Sequence, residues 1–341
     1  MPKTLADIGE FGLIHRIHEL IKKEGVHAPE VTVGIGDDAA SFRPREGYEQ
    51  LVTCDCLVEG RHYLPDFITP LDLGRRAMVM NLSDIGAMGG HPLYALVSLG
   101  LKADMPAADV EAIYRGFILE LNPFGASIIG GNITKTMDAT FIDITLIGEV
   151  EQDKLLRRST ARAGDTILVT GYPGQAAAGL QLMLRSQPSK DLQKHPLVRS
   201  FNSPSHRVKE GQAVANSRLA SAMIDTSDGF LGDLGHICQE SGVGALLVQE
   251  QFPISENLQK TALQLKLDPH ELFLQESDDY ELIITCSPEH KDRIHSTIAA
   301  VSDVTVTEVG KITDTAGDFQ LALPDGSQHR VTSTGWDHFE K

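Results

Sequence analysis

Val31-Thr32-Val33-Gly34-Ile35-Gly36-Asp37-Asp38-Ala39-Ala40 is the stretch on which the fold reading turns. Its β-branched residues read as a short strand, and Gly36-Asp37-Asp38 stops it. The construction returns twice: Gln50–Cys54 is strand-like and stops at Asp55, and Ala222–Ile224 stops at Asp225. Further carboxylates sit in small-residue segments, Asn81-Leu82-Ser83-Asp84, Thr226-Ser227-Asp228-Gly229 and Asp278-Asp279. Strands that end in Asp place carboxylates along one rim of a sheet, where ligands bind. Clustered carboxylates repel and stay ionised together only beside counter-cations. Hard oxygen donors suit Mg²⁺, which is held by a few carboxylates together with substrate phosphates. The plainer reading of any one Asp is a turn residue bonded to its own backbone. Asp225 with Asp228 also reads as an N-cap pair ahead of Phe230. It is the repetition that favours metal.

Outward from these motifs, the remaining elements alternate between strand and helix. Asp7-x-x-Glu10 reads as a capping box before an amphipathic helix (Ile8, Phe11, Ile14, Ile17, Ile21) that ends near Gly25. Asp72 reads as the cap of a long helix running to about Met88. Leu93–Leu101, Ala126–Ile129, Thr140–Val150 and Asp165–Thr170 read as strands, the second stopping at Gly130-Gly131-Asn132. Ala107–Leu121, Gly174–Arg185, Val208–Leu219 and Phe230–Glu240 read as helices, and 186–206, rich in Ser, Pro and Lys, as a surface loop. A polar stretch, Arg157–Gly164, follows a domain boundary near residue 151. The expected domains are therefore 1–150 and 151–341, each with α/β or α+β layers.

Composition narrows the function. The 341 residues suffice for two domains, with 41% apolar and 23% charged residues as in an ordinary globular protein. No apolar run approaches the roughly 20 residues of a membrane span, and no signal peptide is visible. Cys54, Cys56, Cys238 and Cys286 show no metal-type spacing, which suits a reducing cytoplasm. A formal net charge of −17 repels nucleic acid and anionic membranes, so neither is an expected partner. It also repels ATP unless cations intervene. No G-x-x-x-x-G-K-[ST] loop and no protein-kinase motif set occurs, so any ATP site is of another kind.

The ordered set of motifs resembles the thiamine-monophosphate kinase family. It comprises Gly34–Ala40, Asp55-Cys56-Leu57-Val58-Glu59-Gly60-Arg61-His62, Asn81–Pro92, Arg158–Asp165, Ile224–Phe230, Asp279-Tyr280-Glu281-Leu282 and Gly335-Trp336-Asp337-His338-Phe339. The resemblance implies the two-domain fold of aminoimidazole ribonucleotide synthetase, with the N-terminal sheet paired across a homodimer. It implies transfer of the ATP γ-phosphate to thiamine monophosphate, with several Mg²⁺ ions bridging the two phosphorylated ligands. It assigns metal to Asp38, Thr53, Cys54, Asp55, Asp84, Asn132, Asp225 and Asp228. It assigns ATP to Tyr114, Gly131, Asn132, Arg158 and Ser227, and the thiamine substrate to His62, Asp278 and Trp336. Asp55, Asp84, Asp225 and Arg158 are the expected catalytic set. Trp336 can stack on a flat cationic ring. Its plainer role is a core aromatic, and that of Arg158 is a solvated basic face.

Three positions depart from the family pattern. Asn132 stands where the family has Asp, which weakens one metal. Cys54 stands where the family has Thr, and a thiol is a poor Mg²⁺ ligand. Glu276-Ser277-Asp278 replaces Gly-Gly-Glu. These departures keep open a same-fold enzyme acting on another phosphorylated small molecule, or a nucleotide-binding sensor with little turnover. The missing N-terminal Cys and Gly-rich loop argue against selenophosphate synthetase, and the missing C-terminal Cys against the hydrogenase-maturation relative.

Overall fold

A computed structural model describes residues 3–26, 28–35 and 39–332. Asp38 and Trp336 lie outside the described residues. The chain forms two units: Met1–Ile85 with His91–Gln152, and Gly86–Gly90 with Asp153–Lys341. The second unit thus takes five residues from the first half of the sequence as well as the C-terminal half.

The first unit contains α1 (Leu5–Glu24), β1 (Val31–Val33), β2 (Ser41–Phe42), β3 (Tyr48–Val58), α2 (Pro70–Ala87), β4 (His91–Leu101), α3 (Ala107–Leu121), β5 (Ser127–Lys135) and β6 (Phe141–Glu151). Both early helices start one turn before the expected caps. Thr4 donates its backbone N–H and hydroxyl to the Asp7 carboxylate at 2.8 and 2.9 Å. Thr69 accepts the Asp72 N–H at 3.1 Å and donates its hydroxyl to the Asp72 carboxylate at 2.7 Å. Asp7 and Asp72 are therefore the acidic members of each box, and the threonines are the caps.

The main sheet of this unit has the order β3-β6-β4-β5. β3 runs antiparallel to β6 from Tyr48↔Glu151 to Val58↔Phe141, and β5 runs parallel to β4. One face is core: Leu51 and Leu57 on β3 and Ile142, Ile144 and Leu146 on β6 are buried. The alternate residues Val52, Cys54 and Cys56 are exposed, as the two-residue strand period requires.

The second unit contains β7 (Thr166–Thr170), α4 (Gln175–Leu184), α5 (Lys190–Gln193), α6 (Pro196–Asn202), α7 (Val208–Ser217), β8 (Ala220–Asp225), α8 (Phe230–Ser241), β9 (Gly244–Val248), α9 (Glu256–Leu265), α10 (Pro269–Leu274), β10 (Leu282–Cys286), α11 (Lys291–Ala299), β11 (Val306–Thr313), β12 (Phe319–Ala322) and β13 (Gln328–Arg330). Residues 186–206, expected as loop, carry α5 and α6. Ser189 caps the first, and His195 followed by Pro196 opens the second. The sheet order is β13-β12-β9-β11-β7-β10-β8, antiparallel except for β12 with β9. β7 and β10 are buried along their whole length because both faces are covered. Ile167, Val169 and Ile283 join a core with Phe230, Ile237 and Phe273. Leu168, Leu282 and Ile284 point the other way, to Ile294 and Ile298.

Gly86–Gly90 is built into that second core. Ala87 packs with Leu156, Val214 and Ala215. The Leu156 N–H bonds the Met88 carbonyl at 3.3 Å, and the Gln212 amide bonds the Gly90 carbonyl at 2.9 Å.

A largely buried ion pair also lies within this unit. Arg207 grips Glu281 with two bonds, Nε at 2.6 Å and Nη2 at 2.5 Å, and the Thr170 hydroxyl donates to the same carboxylate at 2.6 Å. Removing one partner of such a pair strands a buried charge, so Arg207→Ala should destabilise the fold by about 3–5 kcal/mol in urea unfolding. Arg207→Met combined with Glu281→Leu should recover most of the loss, because neither charge then needs a partner.

Candidate active site

The first unit brings together three of the expected residues. β3 continues to Val58, so Asp55 is a mid-strand residue and not the end of a strand. The reason is its partner: β6 supplies an unbroken ladder, with Asp55 opposite Ile144. Leu51, Thr53, Asp55 and Leu57 share the core-side face. Asp84, expected in a small-residue segment, lies on α2, and its carboxylate accepts a short hydrogen bond from the Thr53 hydroxyl. Thr53 thus fixes one carboxylate rotamer beside a second carboxylate on its own strand. Cys54, of opposite parity, turns away. Its thiol donates to Asp143 at 3.3 Å and accepts from the Thr145 hydroxyl at 3.5 Å on the exposed face. Its thiol is therefore separated from the Thr53 and Asp55 side chains by the sheet, which leaves only its backbone as a donor.

Gly131 and Asn132 were expected at a turn after a strand. β5 instead runs through them, with Gly131 opposite Val97 and Asn132 opposite Ser98. Both are exposed. A Cβ at Gly131 would lie 1.9 Å from the Val97 carbonyl oxygen, so the close β4–β5 approach itself demands glycine. Tyr114, expected at the nucleotide, is 4% exposed inside α3, edge-on to Phe117 with centroids 5.2 Å apart. Burial pushes its hydroxyl pKa up. His62 is half-buried; its Nδ1 accepts the Val58 N–H at 2.9 Å, which puts the ring proton on Nε2 in the neutral form.

In the second unit, β8 ends at Asp225, and the segment 226–229 leads into α8. This segment is tied to the entry of β10. The Thr226 N–H bonds the Glu281 carbonyl at 2.8 Å, and the Tyr280 N–H bonds the Thr226 carbonyl at 2.8 Å. The Glu281 N–H also bonds the Thr226 hydroxyl at 3.0 Å. Gly229 has φ 102, and a Cβ there would lie 2.3 Å from the Gln275 carbonyl oxygen, so no other residue fits. The α8 N-cap is Gly229, without a side-chain bond, which corrects the reading of Asp225 and Asp228 as cap residues.

Those two carboxylates gather around a third. Asp233, in the first turn of α8, is 2% exposed, and Asp225 is 4% exposed. The Asp233 carboxylate accepts the Asp228 N–H at 3.0 Å. Burial, then the charges of Asp225 and Asp228, raise its pKa well above the ordinary carboxylate range. Ligand atoms of Asp228, Asp233 and His236 all lie within 4.8 Å of one another, with His236 Nε2 4.0 Å from Asp228. Oxygen donors crowded enough to raise a pKa fit a divalent cation, which would relieve their repulsion. Asp233 and His236 escaped the sequence reading because it looked to strand ends. Their signal was an i, i+3 pair one turn into the following helix.

Arg158, Ser227 and Asp278 are not among these grouped ligand residues. Arg158 is exposed, and its carbonyl accepts from the Ser241 hydroxyl at 2.9 Å. Ser227 and Asp278 are half-buried. Beside Asp278, Asp279 closes the start of α4. It accepts the Gly174 and Ala176 N–H groups at 2.5 and 2.8 Å and the Ser277 hydroxyl at 2.5 Å.

Comparison with known proteins places these units. Residues 36–150 match the family described as AIR synthase related protein, N-terminal domain, and residues 162–320 match its C-terminal domain. A thiamine-monophosphate kinase of Haemophilus influenzae is 34% identical over 98% of this chain and 99% of its own length. That of Bacillus subtilis is 31% identical over 97% and 99%. The crystal structure of thiamine-monophosphate kinase from Stenotrophomonas maltophilia superposes with a TM-score of 0.79 at 30% identity, covering 94% of this chain and 98% of that one. A structure described as AaThiL complexed with AMPPCP and TMP gives a TM-score of 0.75 at 30% identity, covering 99% of both chains.

The Asp279 carboxyl makes the site region pH-sensitive. Burial raises its pKa from 3.8 to about 6, against the lowering effect of the Ser277, Ala176 and Gly174 bonds. Folding therefore favours its protonated form, so its contribution is largest below about pH 4 and falls as pH rises through about 6. The unfolding free energy of wild type relative to Asp279→Asn should decline across that window and be flat above it. Equilibrium unfolding of both proteins at a series of pH values measures this.

Proposed function

The chain belongs to the thiamine-monophosphate kinase family, and from that premise we propose that it transfers the γ-phosphoryl group of ATP to thiamine monophosphate, giving thiamine diphosphate and ADP. The observation that carries this reading is end-to-end similarity to a protein whose structure was determined with AMPPCP and TMP. Kinship at this level over both units also weighs against a same-fold enzyme with another acceptor and against a sensor with little turnover.

The chemistry asks little of the protein beyond positioning. The acceptor is already a phosphate, ionised and nucleophilic at neutral pH, so no general base is required. Asp55 and Asp84, steadied by Thr53, serve as metal ligands of the first unit, and Asp225 and Asp228 as those of the second. Asp38 joins them on the family resemblance alone. Mg²⁺, when bound, neutralises charge on the phosphates of both substrates and orients them for in-line transfer. Asn132 offers a neutral oxygen where relatives of the family pattern offer a carboxylate, and Cys54 offers its backbone carbonyl. Gly131, Arg158 and Ser227 contact ATP, with the Arg158 guanidinium balancing phosphate charge. His62, Asp278 and, by resemblance, Trp336 contact the thiamine moiety.

Two coarser properties accompany this. The exposed face of the first unit's sheet, with Val52 67% exposed, supports pairing with a second copy as a homodimer. The four cysteines are all free, and two are exposed, which supports a reducing, ATP-containing cytoplasm.

Purified protein with ATP, Mg²⁺ and thiamine monophosphate should release ADP and thiamine diphosphate in equal amounts, and neither with free thiamine or an aminoimidazole ribonucleotide precursor. ADP release without a phosphorylated acceptor would overturn the reading. Thr53→Val, which leaves Asp84 without its hydroxyl partner, should raise the Mg²⁺ concentration for half-maximal rate about 10- to 100-fold. A Mg²⁺ titration of the initial rate measures the shift.

A further inference from the structure

Asp233 is the most enclosed carboxylate near the candidate metal ligands, and it is used in an unusual way. It stands in the first turn of α8, yet its carboxylate turns back past the helix start. There it accepts the N–H group of Asp228 at 3.0 Å. A carboxylate near a helix N-terminus is favourable because it meets the positive end of the helix dipole. That benefit is available to an exposed side chain. Asp233 is instead 2% exposed and lies against the negative charges of Asp225 and Asp228. Burying a like-charged group there is costly, and helix stability alone does not account for it.

What the placement does achieve is control of the backbone just before α8. Thr226 is held from one side by the bonds to Tyr280 and Glu281. Asp228 is held from the other side by Asp233. Gly229 turns the chain between them at φ 102. With both flanks bonded, the peptide planes that carry Asp225 and Asp228 have little freedom to rotate. We propose that Asp233 is a positioning residue for the metal site: by accepting the Asp228 N–H group it fixes the turn between Asp225 and α8 and so sets the direction of the Asp225 and Asp228 carboxylates toward the cation. It acts through the backbone, as outer partners of metal ligands commonly do. The proposal rests on the metal-ligand roles given above to Asp225 and Asp228.

The test separates acceptance of N–H groups from charge. Asp233→Asn keeps an acceptor oxygen of the same shape and removes the charge. Asp233→Leu keeps the shape and removes both. Full-length wild type and variants are titrated with Mn²⁺ alone, free Mn²⁺ being read by electron paramagnetic resonance. Amide hydrogen exchange of the 225–229 segment is measured without metal. The expected result is Mn²⁺ affinity within about threefold of wild type for Asn and about 10- to 100-fold weaker for Leu. Exchange at Asp228 should be faster in Leu only. Equal affinity and equal exchange in all three proteins would overturn the proposal. So would an Asn variant as weak as Leu, which would make Asp233 a direct charged ligand. If Leu fails to match the wild-type unfolding midpoint, Asp233→Ala takes its place under the same criteria. No turnover is needed, so wild type that holds Mn²⁺ yet makes no thiamine diphosphate would sink the kinase reading alone.

Discussion

Three hydrogen bonds tie Thr226 to the backbone of Tyr280 and Glu281, and the second unit's site depends on them. They join the turn after an edge strand, β8, to the start of β10, which pairs with both β8 and β7. The turn is therefore continuous with the stiffest part of the sheet, where every residue of β7 and β10 is buried. Glu281 contributes at two levels. Its backbone holds Thr226, and its side chain is locked by Arg207 and Thr170. A site that must keep several carboxylates near one another needs such a frame, because their mutual repulsion acts constantly to spread them.

The two units solve that repulsion differently. In the first, a hydroxyl from a strand restrains a carboxylate on a helix, Thr53 to Asp84. In the second, a buried helix carboxylate restrains the backbone of the turn before it, Asp233 to Asp228. Both devices spend one polar group to orient another, and neither supporting group needs to touch a substrate. Their common feature is that the orienting group sits on rigid secondary structure.

Much of this was legible in the sequence, and the misses have physical causes. Strands announced by β-branched residues were found, β8 ends at Asp225 as expected, and the acidic motifs were singled out. Asp55 was misplaced at a strand end because nothing local reveals that β6 extends the ladder to Val58. Gly130-Gly131 read as a stop because glycine usually punctuates, whereas here the close approach of β4 requires it. Ser189 and His195-Pro196 carried ordinary helix-start signals inside a segment judged by its overall polarity. Asp233 and His236 needed the helix register of α8 as well as the motif before it.

The packing of Gly86–Gly90 into the second unit bears on how such a protein can be inherited. A unit drawn from two separated stretches of sequence cannot be exchanged by one recombination crossover. A gene fragment encoding only the C-terminal half would lack the residues that cover Val214 and Ala215 and that accept the Leu156 and Gln212 hydrogen bonds. The two halves therefore have to be transmitted together. Their order in the gene is constrained by a five-residue segment at the end of one helix, far from the join at which the chain looks divisible.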